Sequence, residues 1–448
     1  MTKIILIGAN HAGTAAANTI LDNFKDVELT IYDRNNNISF LGCGMALWIG
    51  NQISTSDGLF YCSKDVFEQK GAKVNMESEV LSVDEKNKKI KVRLKDGSEI
   101  EDTYDKLILA TGSRPRSNNT PGEDLENVDV AKLFQDAQKV KATALKDEIK
   151  NVVVVGSGYI GVELAEAFQR IGKEVTLVTR DEKILENYFD REISKDLQDS
   201  MTENGIKLVF GEDVVEFKGE GGKVKSVLTN KSEYKAELVI NSIGFVPNVF
   251  LAESLKKHER SGAYLVDKTF KTSNDDIYAI GDCATIYYKP TESNEYVALA
   301  TNAVRSGIVA ALNACGLKLE TPGVQGSSGM QVYGHKIVMT GLSLDFAKKY
   351  GIDAEVADFE DLQKPEFMEN VENDKVKIRI VYRKDDRRII GAQMASTYDM
   401  SMGIHMFSLA IQKDVTIDEL ALTDIFFMPH YNKPYNYITM AALGAVLK

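Results

Sequence analysis

Two distant stretches of this chain share one pattern, and that repeat restricts the fold more than any other feature. The first is Lys3-Ile4-Ile5-Leu6-Ile7-Gly8, then Ala9-Asn10-His11-Ala12-Gly13 and a helical run rich in alanine. The second is Asn151-Val152-Val153-Val154-Val155-Gly156, then Ser157-Gly158-Tyr159-Ile160-Gly161 and another helical run. A further apolar run follows each, Val27 to Asp33 and Glu174 to Thr179. Strand, tight turn, helix and strand in that order build a parallel sheet with helices on its faces. The repeat therefore predicts an α/β chain with two Rossmann-like dinucleotide-binding domains. Beyond about residue 322 the pattern changes. Strand-like runs (336–340, 376–382, 388–394) precede a helical one (401–412), which predicts a C-terminal α+β domain. The expected division is 1–114 for the first part of one nucleotide domain, 115–245 for the other, 246–322 for the second part of the first, and 323–448 for the C-terminal domain.

A glycine-rich turn that opens a helix binds phosphate, because unpartnered N–H groups point outward and the helix dipole favours an anion. In the first turn Gly8 suits the tight bend and Gly13 suits close packing of helix on strand, while Asn10 stands where a middle glycine is usual. Asp33 ends the following strand, where a carboxylate accepts hydrogen bonds from a ribose diol. The second turn is complete: Gly156, Gly158 and Gly161 enclose Ser157, Tyr159 and Ile160 after a Val-rich strand. Two dinucleotide sites in one chain imply a relay of electrons from a nicotinamide to a flavin and on to an acceptor. The residue that ends the second ribose strand bears on cofactor choice. It is Thr179, followed by Arg180, where NAD sites carry an acid and NADP sites add an Arg for the 2′-phosphate. Arg pairs with that phosphate and Thr does not repel it, so NADPH is expected to serve at least as well as NADH. Asp181 is the group that can turn toward a ribose instead.

The formal net charge of -12 disfavours nucleic acid or an anionic membrane as a partner. No apolar run is long enough to span a bilayer, and the chain starts directly in a strand without a signal-peptide pattern. The four cysteines (43, 62, 283, 315) and five histidines are scattered, with neither CxxC nor HExxH. No metal or disulfide framework is expected, and the cytoplasm is the expected location.

One cysteine stands out. Gly42-Cys43-Gly44 follows the first ribose strand by ten residues. Its flanking glycines suggest a helix start, whose dipole would lower the thiol pKa. Two further fragments, 107–112 (LILATG) and 272–282 (TSNDDIYAIGD), read as buried strands that deliver Gly112 and the Gly281-Asp282 pair.

Together these segments resemble the pyridine nucleotide-disulfide reductase family, and the likeness runs nearly end to end. By that resemblance Asp282 is the most specific FAD residue. Arg34, Ala110, Thr111, Gly112, Ala300, Thr301 and Gly244 join the cofactor contacts, and Tyr159 has to move off the flavin. Members with two reacting thiols carry the second five positions on. That position is Trp48 here. The SFLxCGMxLW pattern with His11 resembles the family's single-cysteine branch and, through 426–445 (FFMPHYNKPYNYITMAALGA), its water-forming NAD(P)H oxidases of lactic acid bacteria. The resemblance implies FAD, NADPH and/or NADH, oxygen as acceptor, Cys43 passing through a sulfenic acid, His11 interacting with Cys43, and a homodimer formed by the C-terminal domain. Phe426, His430 and Tyr431 are expected at that interface or at the oxygen pocket. The chain departs from its relatives at Val246, where they carry Arg before the Pro. NADH peroxidase or CoA-disulfide reductase chemistry, and a flavin redox sensor or electron donor to a protein partner, remain the alternatives.

Overall fold

A computed structural model describes residues 1–447 of the chain. The first nucleotide unit is a five-stranded parallel sheet in the order Ile277–Ala279, Lys106–Leu109, Thr2–Ile7, Val27–Tyr32, Lys73–Asn75. The second repeats the plan in the order Lys207–Val209, Glu174–Val178, Asn151–Val155, Leu238–Asn241, Val128–Asp129. Helices His11–Asn23 and Ala300–Ala314 pack together on the first sheet. Helix Tyr159–Arg170 packs on the second. The central strands are apolar at successive positions because helices and loops cover both faces: Ile4, Ile5 and Leu6, like Val152, Val153 and Val154, are fully buried.

In each sheet the strand that leads into the glycine-rich turn is central. Its next strand lies on one side and a later strand on the other, so the order reverses there. A crevice opens beyond the carboxyl end of a strand at such a switch point. This places both turns, and the residues around them, at ligand-binding positions.

The C-terminal unit is an antiparallel sheet in the order Ser328–Val332, His335–Gly341, Ile389–Ser396, Lys375–Arg383, Ala354–Leu362. Helices Ile404–Gln412 and Tyr437–Val446 lie against it. The α+β reading agrees with this, although the strands at the two edges carry no clear signal in the sequence.

A buried polar cluster joins this unit to the second nucleotide unit. Arg379 Nε and Gln393 Nε2 donate to Asp190 Oδ2 at 2.9 and 2.8 Å, and Asp190 N donates to Gln393 Oε1 at 2.8 Å. Arg379 also binds both oxygens of Asp358 at 2.9 Å. Among the described residues no helix is long and apolar enough to cross a membrane.

Candidate active site

One cavity of about 720 Å³ connects the two glycine-rich turns. That is within the ~300–1,000 Å³ typical of small-molecule sites. Gly8, Asn10, His11, Gly13, Asp33, Arg34, Ala110, Thr111, Gly112, Asp282 and Ala300 line it from the first unit, and Gly158, Tyr159, Ile160 and Gly244 from the second. Cys43 lines it too. The sequence-based set is thus brought together, with five exceptions. Thr301 is exposed on its helix and lies outside the cavity lining. Gly156, Gly161, Thr179 and Arg180 lie outside its lining. Gly161 works by packing, because a Cβ there would stand 2.0 Å from the Gly156 carbonyl oxygen. Thr179 is buried and lies 3.1 Å from the Ser157 hydroxyl. Arg180 is exposed beside it.

The first turn is built around Gly8, whose φ of +95° places it in the region glycine favours. A Cβ there would meet the Ala110 carbonyl oxygen at 2.3 Å. Asp33 holds the turn from the ribose strand: its Oδ2 accepts from Ala9 N at 2.7 Å and its Oδ1 from Asn35 N at 2.8 Å. Burial pushes this carboxyl up, and the N–H donors of Asn35 and Ala9 oppose that. Asp282 stands at the end of strand Ile277–Ala279. Its Oδ2 accepts from Ser113 Oγ at 2.7 Å and Lys132 Nζ at 3.0 Å. Burial acts to raise this carboxyl, but the Lys132 ammonium and the Ser113 hydroxyl outweigh it and hold it below the usual range. Among the described residues no protein group is bonded to its Oδ1.

Three buried polar atoms along the cavity, Gln135 Oε1, Asn241 Oδ1 and Tyr296 Oη, have no hydrogen-bond partner. Buried polar groups without partners are costly, and a bound polar ligand satisfies them. Two phosphate-type turns, an acidic group at the ribose strand, an ionised Asp282 and these three atoms fit a flavin dinucleotide beside a nicotinamide dinucleotide. Sequence reasoning missed Lys132, Ser113, Gln135, Asn241 and Tyr296. Each is a single polar residue with no motif around it, brought in by tertiary folding.

Cys43 sits in a short 3₁₀ turn, Gly42–Gly44, ahead of a helix of only five residues, Met45–Ile49. Its thiol is accessible because it faces the cavity. The expected lowering of its pKa is not what the surroundings produce. Desolvation raises the thiol, and the Glu163 carboxylate adds to that; Lys132 works in the opposite direction. Glu163, on helix Tyr159–Arg170, is itself pushed up to about 7 by burial and by Glu166. So short a helix end cannot offset a desolvated site facing a carboxylate. No hydrogen bond joins His11 to Cys43 among the described residues. His11 Nδ1 instead lies 2.9 Å from Tyr61 Oη. Cys283 is fully buried with its Sγ 3.2 Å from the Ile280 carbonyl oxygen, in keeping with an inert thiol.

Tyr159 crosses from the second turn toward the C-terminal unit. Its ring packs on Tyr188 with centroids 4.5 Å apart, and its hydroxyl lies 2.7 Å from Ser328 Oγ. At the other end of the same turn, Ser157 Oγ donates to Asp181 Oδ2 at 3.2 Å.

Comparison with known proteins agrees with this geometry. Residues 2–307 match the model of the pyridine nucleotide-disulphide oxidoreductases, and residues 330–436 match the dimerisation domain of the same group. The chain is 54% identical over 457 residues to an NADH oxidase of Streptococcus pyogenes, covering 99% of this chain and 100% of that one. It superposes with a TM-score of 0.96 and 37% identity on the water-forming NADH oxidase of Lactobacillus brevis bound to NADH, covering 100% of this chain and 98% of that one. An engineered form of that oxidase, described as a water-forming NADPH oxidase and bound to NADPH, superposes with a TM-score of 0.96 and 37% identity over 99% and 98% of the two chains. Its substitutions replace one Asp with Ala and introduce an Arg at the next position. With twin dinucleotide turns on one cavity, a single facing thiol and this extent of likeness, the chain belongs to the pyridine nucleotide-disulphide oxidoreductase family.

Proposed function

We propose that this protein is an FAD-dependent NAD(P)H oxidase that reduces oxygen to water, with Cys43 as the residue that removes the peroxide stage. The observation that carries the reading is the single cavity shared by both glycine-rich turns and the Cys43 thiol. The likeness to water-forming oxidases supports oxygen as acceptor. The match of residues 330–436 to a dimerisation domain supports a homodimer, as do the exposed Phe426, Phe427, Tyr431 and Tyr435. A cytoplasmic location accords with the four free cysteines.

FAD, when bound, supplies two-electron exchange between a nicotinamide and oxygen. The residues do the rest. The Gly8–Gly13 turn and Asp33 hold the flavin's pyrophosphate and ribose, and Asp282 holds its ribityl side. The Gly156–Gly161 turn holds the nicotinamide cofactor, and Tyr159 swings away from Tyr188 and Ser328 to admit it. A first NAD(P)H supplies the two electrons that take oxygen to hydrogen peroxide. The Cys43 thiolate then attacks one peroxide oxygen. The S–O bond forms, the O–O bond breaks, and hydroxide leaves and takes a proton from solvent to become water. His11 holds the departing oxygen through a ring N–H. Two electrons from a second NAD(P)H and one proton return the S–OH group to thiolate and a second water. The sum is two NAD(P)H and two protons per oxygen, giving two waters.

Both cofactors are accepted in this reading. Arg180 is exposed and free to meet a 2′-phosphate, and Asp181 is already turned toward the second glycine-rich turn, where it can meet a ribose diol. The FAD-loaded protein is expected to consume two NAD(P)H per oxygen and to return no oxygen when catalase is added. A ratio of one, with oxygen returned by catalase, would assign it to peroxide formation instead.

A further inference from the structure

His11 opens helix His11–Asn23 and lines the cavity, whereas Tyr61, its partner through Nδ1, is not part of the cavity wall. The nitrogen left for the cavity is therefore Nε2. The two rings stack nearly parallel, 9° apart in plane with centroids at 5.8 Å. Which proton Nε2 carries depends on the bond at Nδ1.

Tyr61 is half exposed, yet its backbone is fixed. The segment bearing it is stitched to the one that leads into Cys43: Leu41 N donates to Leu59 O at 2.7 Å, and Phe40 pairs with Phe60. Ser39 is the node. It is fully buried and holds a left-handed φ of 56°, a conformation unfavourable for a residue with a Cβ. Its hydroxyl donates to Cys62 O at 2.7 Å and accepts from Cys62 N at 2.8 Å and Tyr61 N at 3.2 Å. Its own N–H donates to Ala9 O at 3.0 Å, in the first glycine-rich turn. One strained serine thus sets Tyr61, His11 and the approach to Cys43 in a fixed relation.

We propose that Tyr61 is a positioning residue whose hydroxyl donates to His11 Nδ1 and locks the neutral ring with its proton on Nε2, facing the cavity. A phenol is the better donor of this pair and an imidazole nitrogen the better acceptor. The charged groups that face His11 are Asp282, from the turn after Ile277–Ala279, and Lys132, ahead of helix Phe134–Ala144; Tyr61 and the cavity-lining Cys43 are its other titratable neighbours. Burial, with Lys132, holds His11 below its ordinary range against the pull of Asp282, so the ring is neutral. The Tyr61 phenol is pushed up to about 12 by burial, against the opposing effect of the Thr14 hydroxyl beside it, and keeps its proton. The consequence for turnover rests on the proposed roles of His11 and Cys43; the tautomer does not.

The test is long-range proton–nitrogen NMR of the FAD-loaded protein labelled with ¹⁵N-histidine, with His11 assigned from its loss in His11→Asn. The native protein should show an unprotonated Nδ1 and a protonated Nε2. In Tyr61→Phe, which keeps the ring stack, the two shifts should move toward averaged tautomers and the titration midpoint of His11 should rise. Turnover at saturating NADH should fall about fivefold with KM for NADH unchanged, the loss of one hydrogen bond of about 1 kcal/mol. A native His11 protonated at Nδ1, or nitrogen shifts indifferent to Tyr61→Phe, would overturn the lock. Shifts that move while turnover stays constant would support the lock and remove His11 from the proposed chemistry.

Discussion

Replacing Arg180 by Ala should change which nicotinamide cofactor this protein prefers while leaving its fold intact. The guanidinium is exposed at the end of strand Glu174–Val178, next to the buried Thr179. The contact proposed for it with a 2′-phosphate is charge-assisted but solvated. Surface ion pairs contribute about 0–1 kcal/mol, and hydrogen bonds to charged groups about 1.5–3 kcal/mol. An intermediate value of about 1.4 kcal/mol corresponds to roughly a tenfold loss of kcat/KM for NADPH. NADH lacks the phosphate, so its kcat/KM should change by less than about twofold. The complementary change is Asp181→Ser. It removes the carboxylate that Ser157 holds at 3.2 Å and should cost NADH roughly fivefold, about 1 kcal/mol for one hydrogen bond. Salt offers an internal control. The Debye length contracts from about 10 Å at 0.1 M to about 3 Å at 1 M, so the native ratio of kcat/KM for NADPH to that for NADH should fall with ionic strength and that of Arg180→Ala should not. The assay is initial-rate kinetics with each cofactor at two salt concentrations. Equal losses with NADH and NADPH in Arg180→Ala, or an unchanged ratio, would refute the assignment.

Two other consequences follow from buried charge. Asp190→Ala removes the carboxylate that Arg379 Nε and Gln393 Nε2 share between the second nucleotide unit and the C-terminal sheet, while Arg379 keeps Asp358. It should destabilise the FAD-loaded protein by roughly 1–3 kcal/mol, read as a lower urea midpoint; an unmoved midpoint would contradict the cluster's role. Glu163→Gln should make Cys43 alkylate faster with iodoacetamide, followed residue by residue by mass spectrometry. Glu163 is neutral below about 7 and charged above it, so the native and variant rates should agree on the acid side and diverge as pH rises. Parallel profiles across that range would show that Glu163 does not govern the thiol.

The sequence revealed what local chemistry dictates. Both phosphate turns could be read from Gly8, Gly13, Gly156 and Gly161, where a Cβ would stand 1.9–2.7 Å from a carbonyl oxygen, and the lone Cys43 could be read from Trp48 in place of a second thiol. What stayed hidden depends on distance in space. Lys132 and Ser113 meet at Asp282 from separate segments, and Tyr61 reaches His11 through a stitch centred on Ser39. The lowered thiol was misjudged for the same reason. Gly42 and Gly44 suggested a helix start, but neither the brevity of Met45–Ile49 nor the approach of Glu163 is visible in that stretch. The edge strand Ala354–Leu362 carries no clear signal because four acidic residues interrupt its apolar positions and it pairs on one side only.

The role proposed for the Cys43 thiol is to convert the peroxide stage to water. Its most direct test is the product of Cys43→Ser. The variant, loaded with FAD, should oxidise one NAD(P)H per oxygen and release hydrogen peroxide stoichiometrically, with half the oxygen returned on adding catalase. A variant that still consumes two NAD(P)H per oxygen and releases only water would contradict the account.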